Sequence, residues 1–266
     1  MKQKVIAAFF IVLTAAAMPS PVHAWGQIGH RVVGQIADSY TSIKAKSAIK
    51  NILGTESIAM ASTWADFIKS DSTYKYLDKW HYINTPKSLT YAQYRDFIDR
   101  DTTPNAYNAI KFLTKELRNK SLAKDKQQMY LRLLIHIVGD IHQPLHVSAE
   151  GTTGGNDIKV QWFRENSNLH RVWDSDLIEM QQLSYTEYAA YVNHSTPAER
   201  RNLQAAPLSQ WLFESYTIAQ QLHDEIKEVN PRLGYRYNYD HIHQVNEQML
   251  KGGIRLAGLL NDLYGK

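Results

Sequence analysis

The chain has 266 residues, 44% of them hydrophobic, which is enough apolar material for one sizeable core. It carries no cysteine, so disulfide scaffolds and thiolate metal sites are excluded, and any metal must be held by histidine, carboxylate or backbone groups. Its formal charge of +4 is too small for the clustered basic face that gripping a nucleic-acid duplex requires.

Met1-Lys2-Gln3-Lys4 is followed by an apolar run from Val5 to Ala17, then by Pro19, Pro21 and the small-residue pattern Val22-His23-Ala24. This is the pattern of a secretory signal peptide cut after Ala24, and its apolar run is too short to anchor the chain in a bilayer. No second candidate anchor follows. Cleavage would leave a single domain, residues 25–266, that starts at Trp25, is secreted or periplasmic, and has a formal charge of +2 because Lys2 and Lys4 depart with the leader.

Val32, Val33, Ile36 and Ala37 form a first helical stripe, and Ile49, Ile52 and Leu53 a second that stops at Gly54. Pro104 is expected to start a helix through Ile110, Phe112, Leu113 and Leu117. Met129, Leu131, Leu134, Ile135 and Val138 mark another, closed by Pro144. One strand is expected over residues 158–163, after the glycine-rich residues 151–155 and before a polar turn around Asn166. Helices over residues 208–226 and 241–263 complete a mainly α domain, a helical bundle with one small β-hairpin.

On the helix before Pro144, His136 and Asp140 are four residues apart and share a face, so both reach one metal. His146 follows where the chain has left the helix and can turn toward a second ion. His170 and Asp174 repeat the pair at the same spacing. A lone pair of this kind is more often a hydrogen-bonded contact, but two pairs with a histidine between them favour metal. Ile135, Ile137, Val138 and Val172 would bury these groups, and burial without partners costs about 2–7 kcal/mol each. Coordination removes that cost. Cleavage before Trp25 would free an α-amine that, with its own carbonyl, can close a five-membered chelate. Gly26 and Gly29 allow the chain to bring His30 to the same ion. Asp66 and His81 are further ligand candidates.

These blocks, Trp25-Gly-Gln-Ile-Gly-His30, Trp64-Ala-Asp66, Trp80-His-Tyr-Ile-Asn84, His136-Ile-Val-Gly-Asp140-Ile-His-Gln-Pro-Leu-His146, Gly154-Gly-Asn156 and Asn168-Leu-His-Arg-Val-Trp-Asp174, resemble in order and spacing the class I nucleases. That family, also called nuclease S1/P1, comprises zinc-dependent single-strand-specific nucleases and 3'-nucleotidases. The resemblance implies a helical domain of the zinc-dependent phospholipase C and nuclease type, holding three Zn2+. Asp66, His81, His136 and Asp140 would hold the first ion, and His146, His170 and Asp174 the second. Trp25, His30 and a shared Asp140 would hold the third. Asp66 would orient the attacking water, and Lys69, one helical turn on, would neutralise phosphoryl charge. Tyr82, Asn84, Gly155 and Asn156 resemble the family's base pocket. Single-stranded DNA, RNA and 3'-mononucleotides would be the substrates, 5'-phosphorylated nucleotides the products, and the enzyme a monomer.

Two departures stand out. Fungal members carry aspartate where this chain has Asn84, so their base preference does not transfer, and they use disulfides that this chain lacks. His142 lies off the His136/Asp140 face and, with His194, His223, His241 and His243, is expected to be structural or exposed. The alternatives are a zinc-dependent phospholipase C, which typically has glutamate in place of Asp174, and a non-catalytic zinc-binding protein.

Overall fold

In the computed structural model, which describes residues 25–266, the first apolar stripe lies on helix α1 (Gln27–Tyr40), where Val32, Val33, Ile36 and Ala37 are all buried. The expected leader and its expected cleavage after Ala24 fall outside the described residues. Helix α2 (Ile43–Leu53) is capped by the Ser42 hydroxyl, which accepts the Ala45 N–H, and ends at Gly54 with φ 75°. Two short helices, α3 (Ile58–Ala61) and α4 (Trp64–Phe67), lead into 3-10 turns over Ile68–Ser70 and Ser72–His81. Helices α5 (Tyr91–Arg100), α6 (Ala106–Leu117) and α7 (Lys124–Asp140) follow.

Pro104 does not begin α6. The Asn105 side chain accepts the Asn108 N–H and is the cap, so the proline stands one residue outside it. In α7 the residues Leu131, Leu133, Leu134, Ile135, Ile137 and Val138 are all fully buried, which places this helix in the centre of the core. After a 3-10 turn at Pro144–His146 comes a helical stretch in three pieces: α8 (Leu169–Arg171), a π-helical turn over Val172–Asp176, and α9 (Leu177–Glu179). The remainder is α10 (Tyr185–Val192), α11 (Pro197–Ala205), α12 (Leu208–Glu225) and α13 (Tyr235–Tyr264). No helix among the described residues is long and apolar enough to cross a membrane.

Helix α13 packs along α1, and Gly253 sets their closeness. A Cβ there would lie 2.5 Å from Ile36 Cβ and 3.0 Å from the Val33 carbonyl oxygen. Strand content is small but exceeds the expected hairpin. β1 (Ile83–Thr85) pairs in parallel with β2 (Val147–Ala149), with Ile83 opposite Val147 and Asn84 opposite Ser148. β3 (Lys159–Trp162) and β4 (Glu165–Asn168) form the expected hairpin, and β5 (Arg232–Leu233) adds to β3 in parallel. The hairpin turn is not at Asn166, which lies within β4. Trp162 pairs with Glu165, so the turn is Phe163-Arg164, both at positive φ (50° and 85°) as a two-residue hairpin turn requires.

Candidate metal centre

The last turn of α7 points His136 and Asp140 the same way, with His136 Nε2 3.2 Å from Asp140 Oδ2. His136 Nδ1 lies 2.6 Å from the Ser62 carbonyl oxygen. A carbonyl only accepts, so the ring proton sits on Nδ1 and the Nε2 lone pair faces the site. The same lock recurs twice: His146 Nδ1 donates to the His81 carbonyl and His170 Nδ1 to the Gly154 carbonyl, each at 2.7 Å. Three histidines from three chain segments thus present Nε2 inward, held by backbone groups behind them. His81, at the end of its 3-10 turn, presents Nδ1 instead, 3.0 Å from both His136 Nε2 and Asp140 Oδ2.

The parallel β1–β2 pair brings Tyr82 and Asn84 beside His146. The π-helical turn carries Asp174, whose Oδ2 is 3.1 Å from His170 Nε2 and whose Oδ1 is 3.9 Å from His146 Nε2. Helix α4 supplies Asp66, buried, with Oδ1 3.8 Å from His136 Nε2 and 2.6 Å from Lys69 Nζ. Asp66 and Lys69, three residues apart, are thus in direct contact.

Trp25 is fully buried, and the next residue ties the start of the domain to the site: the Gly26 N–H donates to the Asp174 carbonyl at 2.6 Å. The His30 ring stacks on His136 with centroids 4.0 Å apart and planes 18° apart, and its Nε2 lies 3.3 Å from Asp140 Oδ1. Gly139 makes this stacking possible, since a Cβ there would sit 2.8 Å from His30 Nδ1. The motif contains Gly139, yet its purpose is invisible until α1 is seen to cross α7.

Ligand atoms of His30, Asp66 and His136, of His81, His136 and Asp140, and of His146, His170 and Asp174 lie within 4.8 Å of one another in each group. His30 therefore neighbours Asp66 and His136 as well as the expected Asp140. The fit to a cation can be tested on the polar atoms themselves. Both nitrogens of His30, Asp140 Oδ1, and Nε2 of His146 and His170 are buried without hydrogen-bond geometry to any partner among the described residues. Each such atom costs about 1–3 kcal/mol if left unsatisfied. The donor set, imidazole and carboxylate without sulfur, suits zinc.

The electrostatics agree. Burial pushes His81 and His146 down to about 4, and burial together with the neighbouring His136 lowers His30, so these rings are neutral and able to ligate near neutral pH. Burial also pulls on His136 and His170, but Asp140 and Asp66 raise the first, and Asp174 raises the second. Burial opposes ionisation of Asp140, yet His136, His30 and His81 around it hold its carboxyl well below the usual range. The carboxylates thus offset burial at His136 and His170, while burial prevails at His30, His81 and His146.

Beside the centre lies a cavity of about 340 Å3 lined by Tyr82, Asn84, Leu145, His146, Thr153, Gly154, Asn156 and His170. Gly155 is buried in the same turn, at φ 80°, but does not line it. Of the other histidines, His142 is buried and hydrogen-bonded rather than exposed, His223 meets the Ser148 hydroxyl at 3.0 Å, and His241 pairs with Glu225 at 3.2 Å.

The S1/P1 Nuclease family model matches residues 25–265. Endonuclease 4 of Arabidopsis thaliana is 31% identical over 96% of this chain and 94% of its own length. Endonuclease 2 of the same plant is 29% identical over 92% of each chain. Nuclease S1 of Aspergillus oryzae is 28% identical over 92% of this chain and 93% of its own.

Proposed function

The chain belongs to the S1/P1 nuclease family, and from that premise we propose that it is an exported, monomeric, zinc-dependent nuclease that hydrolyses single-stranded DNA and RNA to 5'-phosphorylated products and removes phosphate from 3'-mononucleotides. The observation that carries this reading is the set of three histidines, His136, His146 and His170, each locked through Nδ1 to a backbone carbonyl and turned by Nε2 toward carboxylates.

Three ions are proposed. Asp66, His81, His136 and Asp140 hold the first, and His146, His170 and Asp174 the second. His30, Asp140 and the amine and carbonyl of Trp25, freed by cleavage after Ala24, hold the third. Zinc in such a site supplies Lewis acidity, making a nucleophile from water near neutral pH and offsetting charge on the phosphoryl group. The chain's own groups do the rest. Asp66 accepts a hydrogen bond from the attacking water and orients it, and Lys69, held 2.6 Å from Asp66, turns its ammonium to the phosphoryl oxygens as their charge grows.

Tyr82, 39% exposed at the mouth of the cavity, stacks on a base, and Asn84 and Asn156 address its polar edge. That grip needs an unpaired base, and stacking contributes about 1–3 kcal/mol whatever the base. Gly155 shapes the turn behind Asn156. The Asn84 amide both donates and accepts, so it can meet either kind of group on a base edge.

The test is to count zinc in the processed protein and follow acid-soluble nucleotide release from single-stranded DNA and RNA before and after chelation, with His136→Ala as control and phosphatidylcholine as the rival substrate. Near three zinc per chain and chelator-sensitive release, lost in the variant, is the expected result. Zinc without release on nucleic acid sinks the nuclease reading, and turnover of the phospholipid instead establishes the rival.

A further inference from the structure

Between the ligand residues Asp140 and His146 runs Ile141-His142-Gln143, a segment whose polar groups are committed on both sides. The Ile141 carbonyl accepts the Ser215 hydroxyl at 2.6 Å, and the His142 carbonyl accepts the Gln248 amide at 3.1 Å. The His142 ring donates from Nδ1 to the Val138 carbonyl at 2.7 Å and accepts at Nε2 from Arg255 Nη1 at 3.1 Å. Arg255 Nη2 in turn meets both oxygens of Glu214 at 2.8 and 2.9 Å. His142, Ser215, Gln248 and Arg255 are all buried. The segment is thus fastened from behind to α12 and α13.

Gln143, fully buried, faces the other way. Its amide oxygen accepts the Leu145 N–H at 2.5 Å, and its amide nitrogen donates to Asp174 Oδ1. The Leu145 N–H can only donate, so the amide has one admissible orientation: oxygen to Leu145, nitrogen to Asp174. The other oxygen of Asp174, Oδ2, is the one lying 3.1 Å from His170 Nε2.

We infer that Gln143 is a positioning residue that engages one oxygen of Asp174 and leaves the other as the single oxygen presented to a cation held with His146 and His170. The inference rests on the metal reading above. A carboxylate free at both oxygens can rotate or chelate through both; an amide donor fixed from a braced segment prevents either. The same bond joins the segment that carries Asp140 and His146 to the π-helical turn that carries Asp174, so it ties the two ligand groups at one spacing. Partners behind a ligand typically change metal affinity by about 10–100-fold when removed.

The experiment compares wild type, Gln143→Ala and Gln143→Met, each processed and zinc-loaded, by titration with a competing chelator while released zinc is counted, together with kcat and KM on single-stranded DNA. Both variants are expected to give up one zinc equivalent at about 10–100-fold lower chelator strength and the remainder as wild type does. Their kcat should fall while KM stays within about twofold, because the base-binding residues are untouched. Gln143→Met keeps the length and nearly the volume without the donor, so it decides the matter if the alanine variant does not fold. Retention of every equivalent at wild-type strength overturns the inference, and so does uniform loss of all of them, which marks general loosening. A wild-type protein that holds no zinc overturns the metal reading and this inference together.

Discussion

Lys69 and His146 show how single residues divide the work at the centre. Lys69 is held by Asp66, and as an ammonium it has three donors and no lone pair to offer a cation. Lys69→Ala should therefore leave zinc content unchanged and lower kcat by about 10²–10³, the usual cost of deleting one stabilising donor at a developing charge. Elemental analysis beside steady-state kinetics reads both quantities, and lost zinc would reassign the lysine to structure. His146 makes a pH prediction. Its ring is pushed by burial from 6.5 down to about 4, so the unfolded chain binds the proton that the folded chain refuses. The stability contributed by keeping this ring neutral is present above pH 6.5 and is lost as pH falls toward about 4. In metal-free protein, urea midpoints of wild type should fall relative to His146→Gln across that interval. Comparing the pair isolates His146 from His136 and His170, whose raised values act in the opposite direction.

At the scale of elements, the long helices were legible because their apolar stripes repeat over many turns. α7 and α12 agree with the periodicity to within a few residues, whereas α13 begins at Tyr235, six residues before the expected His241. Strands β1 and β2, three residues each, are too short to show any period, so the pairing that brings Asn84 toward His146 was not legible. Nor was the π-helical turn at Val172–Asp176, because one widened turn leaves the spacing of His170 and Asp174 in the sequence unchanged. That His136, Asp140, His146, His170 and Asp174 fall into clusters could be read from type and spacing. The carbonyls of Ser62, His81 and Gly154 that orient the rings could not, since a backbone acceptor has no residue identity. Helix contact also yields a stability prediction. Gly253→Ala would press a methyl within 2.5 Å of Ile36, a neighbour with no flexible end to move away. Overpacking of this kind costs about 1–3 kcal/mol, and an unchanged urea midpoint would show that α1 and α13 adjust freely.

For the whole molecule, the centre gathers α1, α4, the 3-10 turn ending at His81, α7, the turn at His146 and the π-helical turn, segments spread from His30 to Asp174. In a chain without cysteine, ions held there as proposed would be the cross-links between them. An ion at 100 times its Kd adds about 2.7 kcal/mol to stability. With about 2–4 °C of Tm for each kcal/mol in a domain of this size, chelation should lower Tm by about 5 °C or more per ion removed, as scanning calorimetry would read. The tether from the Gly26 N–H to the Asp174 carbonyl has a practical consequence. It fixes the domain's first residues inside the ligand cluster, with Trp25 fully buried, whereas Lys266 at the other end is exposed. An affinity tag joined directly to Trp25 would have to thread out of the cluster and, on the cleavage proposed above, would block the amine. Recombinant protein should therefore carry its handle after Lys266.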